Sequence, residues 1–327
     1  ESPYNILDFP AVKQDFYAVL EKLPSYRYPD PFAEDLRRAL SEYAGCRPEE
    51  ILATNGGDEI INLILNTFIN PGDQVLTHGP TFDVYGIDAA VLGGQMIYCP
   101  DEEGFVRNAS AFKQMIVENQ PKVTIICNPN NPTGHIWPTS VIEEFVRAAH
   151  NIVVVDEAYL EFANQESVIP MIEKYENLIV IRTRSKAFGL AGCRLGYGVA
   201  RADMIDALSL TKLSYNLNSV TQLMGIVAMR HRDEVLGHNV PPTIENREYL
   251  EENLNALHRI AQALLDRETI TGEDLDLLMD NKELPPLDSN GKPVPTTAVK
   301  GGKAAKSGAE FVIEPDTDAQ APEQKPE

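Results

Sequence analysis

Short apolar runs recur along this chain, and an amphipathic segment separates most of them from the next. This spacing limits the fold more than any other feature. Residues 152–155 are Ile-Val-Val-Val, four β-branched residues ended by Asp156. Residues 123–127, 178–181 and 195–200 are similar runs, and residues 74–77 and 95–98 are shorter ones. A strand that is apolar on both faces needs cover on both faces. The segments between supply it: residues 32–45, 58–68, 82–92, 112–118, 140–149 and 204–210 read as helices. In the first of these, Phe32, Leu36, Ala39, Leu40 and Tyr43 recur at helical spacing. Strand and helix in alternation predict an α/β fold, a mostly parallel sheet flanked by helices. Ligands of such sheets bind beyond the carboxyl ends of the strands.

The chain is 327 residues long and 43% hydrophobic, enough for a large core and one or two domains. The formal net charge of -21 repels nucleic acid and anionic membrane, so neither is an expected partner. The four cysteines, Cys46, Cys99, Cys127 and Cys193, form no CxxC pair, and the six histidines no HExxH. No metal site is expected, and buried thiols in a reducing compartment are the simplest account. No apolar run is long enough for a membrane span and no signal peptide opens the sequence, which points to the cytoplasm.

Three residues that can do chemistry lie just past strand ends: Asn131, Asp156 and Lys186. Lys186 sits in Thr183-Arg184-Ser185-Lys186-Ala187-Phe188-Gly189-Leu190-Ala191-Gly192, between a strand and small, glycine-rich residues. A lysine there can condense with a carbonyl cofactor. A pyridoxal phosphate site also needs a carboxylate for the pyridine nitrogen, donors to the phenolate oxygen and groups for the phosphate. Asp156 offers the carboxylate, and Tyr159 lies three residues on. Asn131 precedes a proline, in an extended segment that fixes its direction. Gly56-Gly57-Asp58 opens a helix, whose free N–H groups and positive dipole end suit a phosphate. Arg194 can clamp the same group, and Thr183 and Ser185 add hydroxyls. Each residue taken singly has an ordinary reading as a solvated lysine, a strand-end cap, a turn or a surface ion pair. All of them together and in order do not.

Residues 1–230 resemble the large domain of fold-type I pyridoxal-phosphate aminotransferases, above all the histidinol-phosphate aminotransferases. The likeness rests on Glu1-Ser2-Pro3-Tyr4-Asn5, Tyr26-Arg27-Tyr28-Pro29-Asp30, Thr54-Asn55-Gly56-Gly57-Asp58-Glu59 and Pro80-Thr81-Phe82. It rests further on the segments 127–134, 155–159 and 182–194. Gly57 stands where a serine is more usual in that family, and Phe82 where a tyrosine is typical. The resemblance implies that Lys186 binds the cofactor's aldehyde and shuttles the substrate proton, and that Asp156 pairs with the pyridine nitrogen. Phe82 would stack on the ring, and Asn131 and Tyr159 would contact the phenolate oxygen. Gly57, Asp58, Thr183, Ser185 and Arg194 would surround the phosphate. Tyr28 would reach the phosphate of a neighbouring subunit, so a homodimer is implied, with residues 1–30 as an N-terminal arm. One residue of the segment 215–218 would face the substrate. The implied reaction passes an amino group from a small-molecule donor, histidinol phosphate, to a 2-oxo acid, 2-oxoglutarate. A cofactor-holding protein that turns over poorly is the alternative.

After residue 230 the pattern changes. The family's small domain, with its carboxylate-binding arginine, has no recognisable counterpart there. Residues 231–280 read as a helical segment: Tyr249, Leu250, Leu254, Leu257, Ile260, Ala261 and Leu264 make one apolar stripe. Thr271 is placed to cap a helix over residues 272–279, with Asp274 as the acid of a capping box. Residues 246–280 resemble the carboxyl end of the FtsH-like AAA+ metalloproteases. Residues 281–327 are rich in proline, glycine, lysine and acid and are expected to be largely disordered, apart from an extended piece at residues 311–313.

Overall fold

The computed structural model describes residues 4–267 and 270–285. They fall into two compact units, one ending at residue 252 and one starting at residue 253. The first holds seven strands in one sheet: β1 (Ile51–Asn55), β2 (Gln74–Gly79), β3 (Gln95–Pro100), β4 (Val123–Cys127), β5 (Ile152–Asp156), β6 (Leu178–Thr183) and β7 (Leu195–Val199). Their spatial order is β1-β7-β6-β5-β4-β2-β3. Every pair from β6 across to β3 is parallel, whereas β7 is antiparallel to both β6 and β1. Reversing twice returns β1 to the direction of β6. The carboxyl ends of β1, β2, β4, β5 and β6 therefore share one edge, and the expected mostly parallel sheet is present.

Among the described residues nine α-helices belong to this unit: α1 (Pro10–Leu20), α2 (Glu34–Ala44), α3 (Gly57–Phe68), α4 (Val84–Val91), α5 (Ala109–Asn119), α6 (Thr139–Ala148), α7 (Ala202–Ser209), α8 (Ser219–Arg230) and α9 (Arg232–Glu252). The central strands send alternate residues to two cores. Val153, Val155 and Val180 pack with Leu36, Phe112, Phe145 and Val227, from α2, α5, α6 and α8. Val154, Ile179 and Ile181 pack with Ile60, Ile64, Ala89 and Ile205, from α3, α4 and α7. Both faces are covered, which is why β4 and β6 are buried along their whole length.

Three elements escape the sequence pattern. β1 runs directly into the glycine pair and is masked by it. α1 buries only Val12 and Phe16. α8 buries Thr221, Gln222, Met224, Gly225, Val227, Ala228 and Met229, so it shows no amphipathic stripe. α9 lies within the segment expected to be helical and runs through Pro241 and Pro242. There the Thr243 hydroxyl donates to the Asn239 carbonyl at 2.8 Å.

The second unit contains α10 (Leu254–Arg267) and α11 (Gly272–Met279). The expected capping box is formed: the Thr271 side chain accepts from Asp274 N, and the Asp274 side chain accepts from Thr271 N. Arg259 donates to the Leu278 carbonyl at 2.9 and 3.1 Å. The single stripe over residues 249–264 is corrected. The helix breaks at Asn253, and Leu254, Leu257 and Leu264 remain exposed while Ala256 and Ala263 are buried. The expectation for residues 281–327 lies, beyond residue 285, outside the described residues.

Candidate active site

At the shared carboxyl edge lies a cavity of about 270 Å³. Ten of the eleven expected site residues line it. Gly57 and Asp58 come from the first turn of α3, just after β1. Phe82 follows β2, Asn131 follows β4, and Asp156 and Tyr159 end and follow β5. Thr183 closes β6, with Ser185 and Lys186 next, and Arg194 precedes β7. Tyr28 is the exception. It is 79% exposed, stacked on Tyr215 at 4.5 Å between centroids, and is not among the cavity's lining residues.

Asp156 is buried, and its two hydrogen-bond donors are neutral. The Tyr85 hydroxyl donates to Oδ2 at 2.6 Å and the Ala158 N–H to Oδ1 at 3.0 Å. Burial raises its proton affinity; the two hydrogen bonds and the Lys186 charge offset this only in part. A buried carboxylate held by neutral donors at a cavity wall calls for a cationic N–H from a ligand. A protonated pyridine nitrogen is such a group. Lys186 Nζ lies 5.2 Å from the Tyr159 ring centroid in the same cavity. The residues present therefore fit pyridoxal phosphate at both its aldehyde and its ring nitrogen.

The phosphate end is built by close backbone approach. A Cβ on Gly196 would lie 2.4 Å from the Gly56 carbonyl carbon and 2.6 Å from Gly57 N, so only glycine lets β7 pass under the start of α3. Gly56 has φ +86°, a conformation that disfavours side chains, and the Arg194 guanidinium occupies the space that a Cβ would take. Arg194 pairs with Asp58 at 2.6 Å, both half-exposed. The start of α3 thus presents free N–H groups beside a guanidinium, which suits a phosphate. The Thr183 hydroxyl accepts from Ser185 N at 3.1 Å and fixes the turn into Lys186.

Flanking Thr183, Arg182 and Arg184 enter a buried ionic network. Arg182 meets Glu157 at 3.1 Å and Glu161 at 2.8 Å, and Arg184 meets Glu161 at 3.0 Å. Arg184 also bonds Tyr197 and lies over the Tyr43 ring at 4.3 Å. Burial pushes the Glu161 carboxyl up, but Arg182 and Arg184 outweigh it and hold it below the usual carboxylate range. Glu161→Ala would leave two buried guanidiniums short of a partner. It is expected to cost about 3–5 kcal/mol in denaturant unfolding. A loss under about 1 kcal/mol would show that the network is not what anchors the end of β6.

The residues around the site that were not legible in sequence are Tyr85, Cys127 and Asn239. Tyr85 and Cys127 line the cavity. Burial, followed by the Asp156 charge, pushes the Cys127 thiol up to about 12, so it stays neutral. Asn239, from α9, donates to the Ala187 carbonyl at 3.0 Å and braces the segment beside Lys186. No local pattern marks these three; an aromatic or thiol on an apolar face is ordinary core. The segment at residues 215–218 holds chain to chain. Asn216 donates to the Ala53 carbonyl at 3.2 Å and to Glu59 at 2.9 Å, and Asn218 caps α8. Among the described residues no group of three or more His, Cys, Asp or Glu is placed to hold a metal ion. Among them, no helix is long and apolar enough to cross a membrane.

A family profile described as aminotransferase class I and II matches residues 3–271. The chain is similar to a histidinol-phosphate aminotransferase of Caldanaerobacter subterraneus, at 37% identity over 260 residues, covering 80% of this chain and 73% of the relative. It is 40% identical over 230 residues to one of a Thermoanaerobacter species, covering 70% of this chain and 65% of that protein. It thus spans between two thirds and three quarters of one relative's length and just under two thirds of the other's. Among solved structures, the histidinol-phosphate aminotransferase of Clostridium acetobutylicum shares the fold, with a TM-score of 0.69 and 21% identity over 78% of this chain and 75% of that one. The enzyme from Sinorhizobium meliloti in complex with pyridoxal-5'-phosphate superposes with a TM-score of 0.65 at 24% identity, over 79% of this chain and 68% of that one. With the profile matching most of its length, and with relatives above one third identity, the chain belongs to the class I and II aminotransferase family.

Proposed function

We propose that this protein is a pyridoxal-phosphate-dependent aminotransferase that moves an amino group between histidinol phosphate and 2-oxoglutarate, giving imidazole acetol phosphate and glutamate. The observation that carries the reading is the convergence of Lys186, Asp156 and Asn131 on one cavity whose far end is the start of α3. The names of its relatives support the substrate.

When bound, pyridoxal phosphate supplies an aldehyde that condenses with amines and a ring that draws electrons from the adjacent carbon. The protein's part is to bind, orient and move protons. Lys186 Nζ would hold the group at its aldehyde and would be the base that moves the proton of the substrate carbon. Asp156 keeps a proton on the ring nitrogen, which makes the ring a stronger electron sink. Asn131 and Tyr159 would donate to the phenolate oxygen, and Phe82 would cover a ring face. Gly57, Asp58, Thr183, Ser185 and Arg194 would hold the phosphate.

The proposal includes a homodimer in the cytoplasm, with Tyr28 of each copy reaching the phosphate of the other. Tyr26 and Tyr28 are 83% and 79% exposed, so this arm has apolar surface to bury against a second copy. The proposal also keeps residues 246–280 as a piece related to the carboxyl end of the FtsH-like proteases.

The test is a coupled assay of full-length protein loaded with pyridoxal phosphate. Histidinol phosphate should be consumed only when 2-oxoglutarate is present, with glutamate formed in equal amount. Bound cofactor without glutamate formation would overturn the transamination reading in favour of a binding protein. Release of carbon dioxide would instead point to decarboxylation.

A further inference from the structure

The Tyr85–Asp156 hydrogen bond points to a role that the proposed function does not assign. Tyr85 lies in the first turn of α4 and is fully buried. Its hydroxyl donates to Asp156 Oδ2 at 2.6 Å across 71 residues of sequence. Its ring meets Phe82 edge-on, at 5.6 Å between centroids and 85° between planes. One side chain thus touches both the carboxylate expected under the ring nitrogen and the aromatic expected on the ring face. A phenylalanine would fill the same space in the apolar core, so packing alone does not call for the hydroxyl.

We propose that Tyr85 is a positioning residue which, through its hydroxyl, keeps Asp156 ionised and aimed into the cavity, and through its ring fixes Phe82. This rests on the cofactor reading above. The surroundings of Asp156 support it. Burial opposes its negative charge, and so does the nearby Asp58. On the other side stand the Tyr85 hydroxyl, the Ala158 N–H and the charge of Lys186. Cys127, on the neighbouring strand, is a neutral thiol. Lys186 is committed to the aldehyde in the proposed chemistry, which leaves Tyr85 and Ala158 as the lasting donors. Burial and the Asp156 charge drive the Tyr85 phenol well above its ordinary value, so it remains a donor throughout the working pH range.

The experiment compares Tyr85→Phe with the parent, both full-length and titrated with pyridoxal phosphate. Cofactor affinity is titrated by absorbance from pH 5 to pH 9, a range that brackets neutrality on both sides. Losing a hydrogen bond to a buried carboxylate should weaken cofactor binding at neutral pH by about tenfold. A carboxylate without that donor takes up a proton at higher pH. The acid-side loss of binding should therefore move upward by about one pH unit. In an Asp156→Asn background the same Tyr85→Phe change should leave the pH profile where it was, because no charge remains to hold. Parent and variant also go through borohydride reduction and mass analysis of the Lys186 peptide. A trapped adduct in both, with coincident pH profiles, overturns the role of Tyr85 while the cofactor reading stands. No adduct in either overturns the cofactor reading itself. An equal shift in the Asp156→Asn background would make Tyr85 a packing residue and also overturn the proposal.

Discussion

Lys186→Ala is expected to abolish covalent capture of pyridoxal phosphate and, with it, turnover. Lys186 is the lysine that lines the cavity among the described residues, and none of the other lining residues carries an amine. The variant protein, reduced with borohydride in the presence of cofactor, should show no adduct, whereas the parent should carry one on the peptide containing Lys186. Loss of the proton shuttle alone should lower turnover by about 10²–10⁴-fold. Folding should survive. The turn around Lys186 is held by backbone groups, Gly189 N donating to the Lys186 carbonyl at 3.1 Å and Leu190 N to the Arg184 carbonyl at 3.1 Å. An adduct on another lysine with activity retained would sink the assignment of Lys186. Loss of both activity and cooperative unfolding would mean that the lysine is structural.

The second large effect concerns Asp156. Asp156→Asn keeps the shape and removes the charge. Withdrawing one partner from a buried ion pair costs about 3–5 kcal/mol. If that cost falls on the transition state, turnover should drop by about 10²–10⁴-fold. Stability should move the other way in the cofactor-free protein. Burial raises the proton affinity of Asp156 in the folded state. The folded protein then holds that proton more tightly than the unfolded chain does. Its contribution to stability is present at acid pH and is lost as pH rises through the raised folded value. At neutral pH the charged Asp156 therefore burdens the empty site, and the asparagine variant should melt higher than the parent. Cofactor should reverse the order, stabilising the parent more. A thermal melt at neutral pH, with and without pyridoxal phosphate, checks both halves. Equal melting of the two empty proteins, together with near-normal turnover of the variant, would show that Asp156 does not face the ring nitrogen.

Both predictions concern residues that the sequence marks locally, and the reason is physical. Lys186 and Asp156 each follow a run of apolar residues that only a doubly covered strand explains. Past the end of such a strand the chain leaves the core, and a polar side chain there faces the sheet edge. The glycines at 56 and 57 announce a helix start with free N–H groups for the same reason. Periodicity likewise gives the helices over β4, β5 and β6 to within a few residues, because amphipathic spacing is a property of neighbours in sequence.

The sequence by itself determined the α/β alternation, the strand-end placement of Asn131, Asp156 and Lys186, and the Thr271–Asp274 cap; all are written within a few residues of themselves. Only the tertiary structure decided the rest. It set the strand order that brings β1 beside β7, and the reversal at β7 that returns the start of α3 to the edge where Lys186 lies. It brought Gly196 against Gly56, Tyr85 to Asp156, and Asn239 to Ala187, pairs separated by 52 residues or more. It also carried α9 through two prolines and placed the unit boundary after residue 252. Such pairings depend on which strands become neighbours. Hydrophobic burial selects that order over the whole sheet at once, and no short window of sequence contains it.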